Sequence, residues 1–199
     1  MVETTRRREI EDVASELFRE HGYSGTSVRD IARALDIQGA SLYSHVASKQ
    51  DVLWSIVDRT ATQFETAAEA ALAGVDAADP LAGLRALVQA HVGVVLEDVG
   101  RASVFVHEWR SLGPERRART LERRDAYERR FRDIIEAGVS SGVLAPVDPT
   151  VAAAYLLTAL NGLVAWYRPD GRLQPDDVSE AYGALSFRAV AGAVPGESS

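Results

Sequence analysis

The chain has 199 residues, no cysteine, 46% hydrophobic residues and a formal net charge of −7. Zero cysteine excludes disulfides and thiolate metal sites, and the four histidines, His21, His45, His91 and His107, lack metal-ligand spacing, so no metal and no cofactor is expected. No apolar run behind the N-terminus resembles a signal segment, so a cytoplasmic protein with no membrane partner is expected.

The predicted elements are helices throughout, an all-α fold. Ile10, Val13, Ala14, Leu17 and Phe18 recur at helical spacing, and Gly22 stops that first helix. Ser27 with Asp30, and Ser48 with Asp51, are start signals in which a hydroxyl and an acid serve the orphan N–H groups of a new helix. Between them, Ile31, Ala32 and Leu35 close a helix, Asp36 and Ile37 turn the chain, and a second helix over 38–45 turns Leu42 and Val46 inward. This is a helix-turn-helix, whose second helix is built to enter a major groove. A long stripe from Val52 to Ala71 continues over 48–73, and further helices are expected at 80–97, 101–112, 115–137, 149–167 and 175–192. The boundaries predict a DNA-binding head over 1–48 and a ligand-binding and dimerisation body over 49–195.

Gly25-Thr26-Ser27-Val28-Arg29-Asp30-Ile31-Ala32, then Leu42-Tyr43-Ser44-His45-Val46 and Ser48-Lys49 resemble the signature of the TetR family of bacterial one-component repressors, over residues 9–55. The resemblance implies phosphate contacts from Thr26, Tyr43, His45 and Lys49. It places Gln38, Gly39, Ala40, Ser41 and Ser44 on the face that meets base edges. Many members carry a cation near the start of that helix, where this chain has Gln38-Gly39-Ala40, so bidentate guanine readout is not expected from it. Gln38 suits adenine, Ser41 and Ser44 either partner, and Ala40 a thymine methyl, with shape readout adding to them. Arg29, Arg33 and the run Arg6-Arg7-Arg8 are the remaining basic groups near a duplex; the run reads equally well as a solvated helix start. The first 50 residues hold seven Lys and Arg against eight acids, so any basic patch is small and binding should be strongly salt-sensitive.

In the body, the segment from Val151 to Tyr167 is apolar nearly all round, and the last helix carries Val178, Ala181, Tyr182, Leu185 and Ala189. Family resemblance implies that these helices pair across a two-fold axis, giving a homodimer on a double-stranded, pseudo-palindromic operator. The segment Trp166-Tyr167-Arg168-Pro169-Asp170-Gly171-Arg172-Leu173 resembles TetR-family members that sense acyl-coenzyme A thioesters and control fatty-acid, branched-chain or steroid-ring breakdown. An acyl-CoA is thus the first expectation for a small hydrophobic effector; a free lipophile or drug acting on an efflux regulator, or a constitutive dimer without ligand, stay open. Phe105, Trp109, Arg110, Asn161 and Trp166 are the predicted ligand contacts, each with a packing alternative; His91 and His107 have the same polar-in-apolar setting. Residues 114–136 hold eight Arg and six acids, and Arg116, Arg117, Arg123 and Arg124 lack an i,i+4 acid, which makes them candidate partners for coenzyme A phosphates. His107-Glu108 has no second histidine four residues on, and no Gly-rich phosphate loop or nucleophile elbow occurs, so no enzyme is expected.

Overall fold

The computed structural model describes residues 2–191, with side chains of residues 6–190. Among them the regular structure is helical: α1 (Val2–Gly25), α2 (Val28–Ala34), α3 (Gly39–Leu42), α4 (Lys49–Ala73), α5 (Pro80–Glu97), α6 (Val99–His107), a 3₁₀ turn (Trp109–Ser111), α7 (Pro114–Ser140), α8 (Pro149–Asn161), α9 (Leu163–Trp166) and α10 (Pro175–Ala191). Gly22 interrupts α1 with φ 73° and ψ 159°, the break its sequence predicts. The expected helix over 38–45 contracts to α3, with Gln38 as its N-cap, because the Ser44 and His45 N–H groups bond three residues back, to Ser41 O and Leu42 O, as a tightened turn. The expected helix over 149–167 is two, α8 and α9, meeting at Gly162.

Acids start the helices in the body. The Asp98 carboxylate accepts from the Arg101 N–H at 2.9 Å to cap α6, and Asp148 accepts from Thr150 and Val151 at 2.9 and 3.0 Å to cap α8, whose first residue is proline. At the other end of α7, Gly142 takes φ 76° and the Leu144 N–H donates back to Gly138 O at 3.0 Å, a left-handed C-terminal cap.

Packing groups the chain into two compact units. One unit is Met1–Thr62 with Asp98–Arg123, the other Gln63–Glu97 with Arg124–Ser199. The helix α6 joins the head because it packs on α1, close enough that a Cβ at Gly100 would lie 2.5 Å from a Glu16 carboxylate oxygen. In the first unit Ile10, Ala14, Phe18, Ile31, Leu42, Leu53 and Ile56 are buried. Glu11, 4% exposed, is held there by a hydrogen bond from the Ser55 hydroxyl and by Arg59 at 3.0 Å. Gln50 donates to Ser111 O at 2.7 Å and accepts from the Gly113 N–H at 3.2 Å, which ties the start of α4 to the 3₁₀ turn.

The arginines of α7 have partners that one-helix spacing does not reveal. In the first unit Arg116 reaches Asp51 at 2.6 Å and Arg123 reaches Asp58 at 2.8 Å, while Arg119 lies over the Trp54 ring and 3.7 Å from Asp58. In the second unit Arg130 donates to Glu65 O at 3.2 Å and pairs with Glu69 at 2.7 Å. Residues 116 and 123 are seven apart, as are 51 and 58, so within the first unit the two helices present matching charged edges at the same period. Arg116 and Arg123 are therefore withdrawn from the candidate phosphate donors.

The second unit is built on Leu84, Leu87, Val88, Val92, Phe131, Ile135, Leu156 and Leu160. The stretch Pro149–Trp166 is long and apolar enough to cross a membrane by composition alone, although only a third of it is buried here. Its inward residues are Ala152, Ala153, Leu156, Leu160, Leu163 and Val164. Its outward face leaves Val151 and Tyr155 exposed, and α10 leaves Leu185 exposed.

Candidate nucleic-acid interface and effector residues

The head is organised by a complete capping box. The Ser27 hydroxyl accepts from the Asp30 N–H at 3.2 Å and the Asp30 carboxylate accepts from the Ser27 N–H at 2.9 Å, so α2 starts with its orphan donors satisfied. The Ser27 side-chain and backbone hydrogen bonds hold the Asp30 carboxyl below the usual carboxylate range. Asp36 then takes φ 52°, a left-handed turn that a short acid tolerates, and the Ile37 N–H closes it on Ala32 O at 3.0 Å. Ser27→Ala should lower the melting temperature by about 2–4 °C, read by circular dichroism, because one cap hydrogen bond is lost.

Leu42 and Val46 are buried, and this pins α3 with its other side outward. Gln38, Ala40, Ser41, Tyr43 and Ser44 are exposed, Tyr43 at 56%, while Gly39 and His45 are half-buried. The Ser44 hydroxyl donates to Ser41 O at 2.7 Å, so its proton is engaged in the fold and its oxygen lone pairs face solvent. Arg29 is exposed and, with Arg33, Ile37, Gln38 and Gly39, lines a groove of about 410 Å³ beside the start of α3. Arg33 pairs with Asp30 at 3.2 Å. The N-terminal arginines are partly spent: Arg6 meets Glu9 at 2.6 Å and Arg7 lies 3.6 Å from Glu11.

Two residues expected at phosphates are engaged within the head in this structure. Thr26 is 2% exposed and its hydroxyl donates to Gly22 O and Leu17 O, at 3.0 and 3.2 Å. Lys49 donates to Tyr23 O and Thr26 O, both at 2.7 Å, with its ammonium 4.1 Å from the Tyr23 ring centroid. The physical reason is the break at Gly22, which leaves carbonyls at the end of α1 without helical donors; Thr26 and Lys49 supply them. Both help to hold the head together.

The five predicted ligand residues are divided between the two units. Phe105, Trp109 and Arg110 belong to the first unit, where Trp109 is buried and Arg110 lies 4.6 Å over its ring. Asn161 and Trp166 belong to the second. Trp166 is a surface residue, 44% exposed, stacked on Tyr182 and donating to its hydroxyl at 3.0 Å, on the side of α9 opposite buried Leu163 and Val164. Asn161 keeps a buried amide oxygen and lies beside His91. His91 is 3% exposed, packed on Phe64 with ring centroids 4.6 Å apart, and its Nδ1 is 3.3 Å from the Tyr127 hydroxyl. Another groove of the second unit, about 500 Å³ between α5 and α10, is lined by Arg85, Gln89, Ser179, Glu180, Phe187 and Arg188, a mixture of charges with none of the predicted contacts.

Burial lowers the His91 imidazole to about 3, against a smaller favourable effect of the Asn161 amide on the charged form. The unfolded chain therefore takes up this proton near the ordinary histidine value of about 6.5 while the folded chain refuses it. Stability is unaffected above that value and falls as the pH drops from there toward 3. Urea midpoints at pH 7 and pH 5 should thus differ less for His91→Phe than for the unaltered protein. Burial also raises the Tyr127 phenol, so it stays protonated and able to donate.

Residues 10–56 match the model described as bacterial regulatory proteins, tetR family, and residues 77–190 match tetracyclin repressor-like, C-terminal domain. The HTH-type transcriptional repressor KstR2 of Rhodococcus jostii (strain RHA1) is 31% identical over 192 residues, covering 94% of this chain and 91% of its own. Among solved structures, the TetR family transcriptional regulator PfmR from Thermus thermophilus is 36% identical with a TM-score of 0.80, over 91% of this chain and 97% of that one. AibR, solved in complex with isovaleryl coenzyme A and operator DNA, is 28% identical with a TM-score of 0.79, over 90% and 97%. The family models together span both the helix-turn-helix and the helical body, and the chain belongs to the TetR family of transcriptional regulators.

Proposed function

We propose that the protein is a homodimeric repressor that binds a pseudo-palindromic operator through α3 and is released by a hydrophobic effector, an acyl-CoA thioester. The observation that carries the DNA reading is the outward row Gln38, Ala40, Ser41, Tyr43 and Ser44, held rigid from behind by buried Leu42 and Val46 and by the capped α2. In this reading Gln38 and Ser41 meet base edges, Tyr43, His45 and Arg29 meet phosphate, and Thr26 and Lys49 keep the helices at a fixed angle. Gly39 and Ala40 leave the helix start without bulk, which favours close approach to the groove floor.

The dimer reading is supported by Val151, Ala154, Tyr155, Thr158 and Ala159 on one outward face of α8 and by Ala181, Leu185 and Ala189 on α10, an apolar surface of mostly small residues. The effector reading is supported by the similarity to AibR, whose structure holds isovaleryl coenzyme A, and by the Trp166–Leu173 segment. The helix α4 runs from Lys49 to Ala73 and contributes Leu53 and Ile56 to one unit and Phe64 and Ala68 to the other, and in this reading it carries the effector signal to the head.

Selection of bound duplexes from a random pool tests the DNA reading. Two inverted half-sites should emerge, separated by about one helical turn or a multiple of it. Tyr43→Ala should weaken binding to every duplex alike, while Gln38→Ala should change the selected sequence more than the affinity. A single half-site, or unchanged affinity in Tyr43→Ala, overturns it.

A further inference from the structure

In the second unit, the exposed residues Asp177, Ala181, Ala184 and Arg188 of α10 follow one another at intervals of four, three and four, so they form one stripe along the helix. From its start the stripe reads acid, small, small, base. One oxygen of the Asp177 carboxylate accepts from the Gln174 N–H at 3.1 Å, which fixes the group at the helix start and leaves its other oxygen open. Arg188 meets no acid of its own chain among the described residues.

Such an edge is complementary to itself in one direction only. Parallel pairing with a second copy sets each charge against its own symmetry mate, and both ends repel. Antiparallel pairing about a two-fold axis halfway between Ala181 and Ala184 sets Asp177 against Arg188 of the partner subunit at one end, and the reverse at the other. The small residues then meet at the crossing, where they let the backbones approach to about 8 Å, the near end of helix-packing distances. Glu180 is the competing acid, but it stands about 80° around the helix from Arg188, while Asp177 stands within about 20° of it. Charge and shape thus select one register. Leu185, 61% exposed, flanks the stripe and is covered by the same contact.

We infer that α10 pairs antiparallel with α10 of a second copy, with the two-fold axis between Ala181 and Ala184 and reciprocal Asp177–Arg188 ion pairs closing both ends. This rests on the homodimer reading above and deepens it by naming the register. The ion pairs serve specificity more than affinity, since an exposed pair is worth little while like charges brought together disfavour the parallel arrangement.

The chain has no cysteine, so introduced cysteines give a clean test in the full-length protein. With Asp177→Cys and Arg188→Cys combined, mild oxidation should give a covalent dimer, because the two positions face each other across the axis. Neither single variant should cross-link, since each cysteine lies about 16 Å along the helices from its own mate, and the two within one chain are equally far apart. Without cysteines, Arg188→Asp and Asp177→Arg should each weaken the dimer roughly tenfold, measured by sedimentation over a dilution series, and the two together should restore it. A covalent dimer from a single-cysteine variant, or a charge swap that restores nothing, overturns the register. If the unaltered protein sediments as a dimer while no cysteine pair cross-links and neither charge variant weakens it, the inference falls and the homodimer reading stands on another face. If the unaltered protein sediments as a monomer, both fall.

Discussion

Replacing Leu185 or Tyr155 by aspartate is expected to give a folded monomer that no longer holds its operator. In the single chain these side chains are 61% and 60% exposed, so a carboxylate there keeps its water and the protomer loses little stability. Across a two-fold interface the same carboxylate would be desolvated next to its own symmetry mate, and a buried like-charge pair without partners is strongly unfavourable. The consequence for DNA is large, because two tethered heads bind with an effective concentration on the order of millimolar for the second half-site, while one head alone has little beyond phosphate attraction. Operator affinity should fall by about 100-fold or more. Light scattering coupled to gel filtration and anisotropy on the selected operator read the two effects. A variant that stays dimeric shows that another surface makes the dimer.

The second large effect is expected from the effector. Adding an acyl-CoA should lower operator affinity by about 10- to 100-fold, and by linkage operator DNA should weaken the acyl-CoA by the same factor. An acyl chain supplies the required energy, since each buried CH₂ contributes about 0.8 kcal/mol and a population shift needs several kcal/mol of preference for one state. Affinity should therefore rise with chain length until the apolar space is filled. Anisotropy titrations of the operator complex against acyl-CoAs from C4 to C16 measure this. If every thioester leaves the complex intact while free lipophiles dissociate it, the effector is a lipophile and the thioester reading is withdrawn. If neither class acts, the protein is a constitutive DNA-binding dimer.

Salt gives an independent check on how the head binds. Arg6, Arg7 and Arg33 are engaged with acids of their own helices, and Lys49 with backbone carbonyls, which leaves few cations for phosphate. The slope of log affinity against log salt should accordingly be shallow for a dimeric repressor, near four to six released counterions rather than about ten. The sequence alone suggested strong salt sensitivity from the same short supply of charge. The internal pairing points to a different balance, in which tyrosine, serine and glutamine contacts carry more of the affinity.

Local signals made the helix-turn-helix legible before any coordinates. A capping box is a four-residue pattern, a glycine break needs only its neighbours, and an apolar stripe records which face of a helix is buried; Ser27 with Asp30, Gly22, and Ile10 with Ala14 and Phe18 all behave as their spacing predicts. The family signature lies in this same region, where short-range chemistry dominates. What residues do across space was not legible. That Thr26 and Lys49 also serve backbone carbonyls of the head was hidden, because nothing in a linear pattern shows that those carbonyls come to them. Arg116 and Arg123 read as free because their acids stand 65 residues earlier, on α4. The partner of Trp166 was hidden too, because the Tyr182 hydroxyl that its indole meets stands 16 residues later, on α10. Asn161 is the instructive case. Its sequence setting shows only that an amide in an apolar helix needs a partner, and tertiary packing decides that the neighbour is a neutral, buried His91 that leaves the need unmet. Helix starts, stops and faces are set by contacts within about four residues and so are written in the chain. The partner of a charged or polar group is set by which helices the core brings side by side, and only the folded structure determines that.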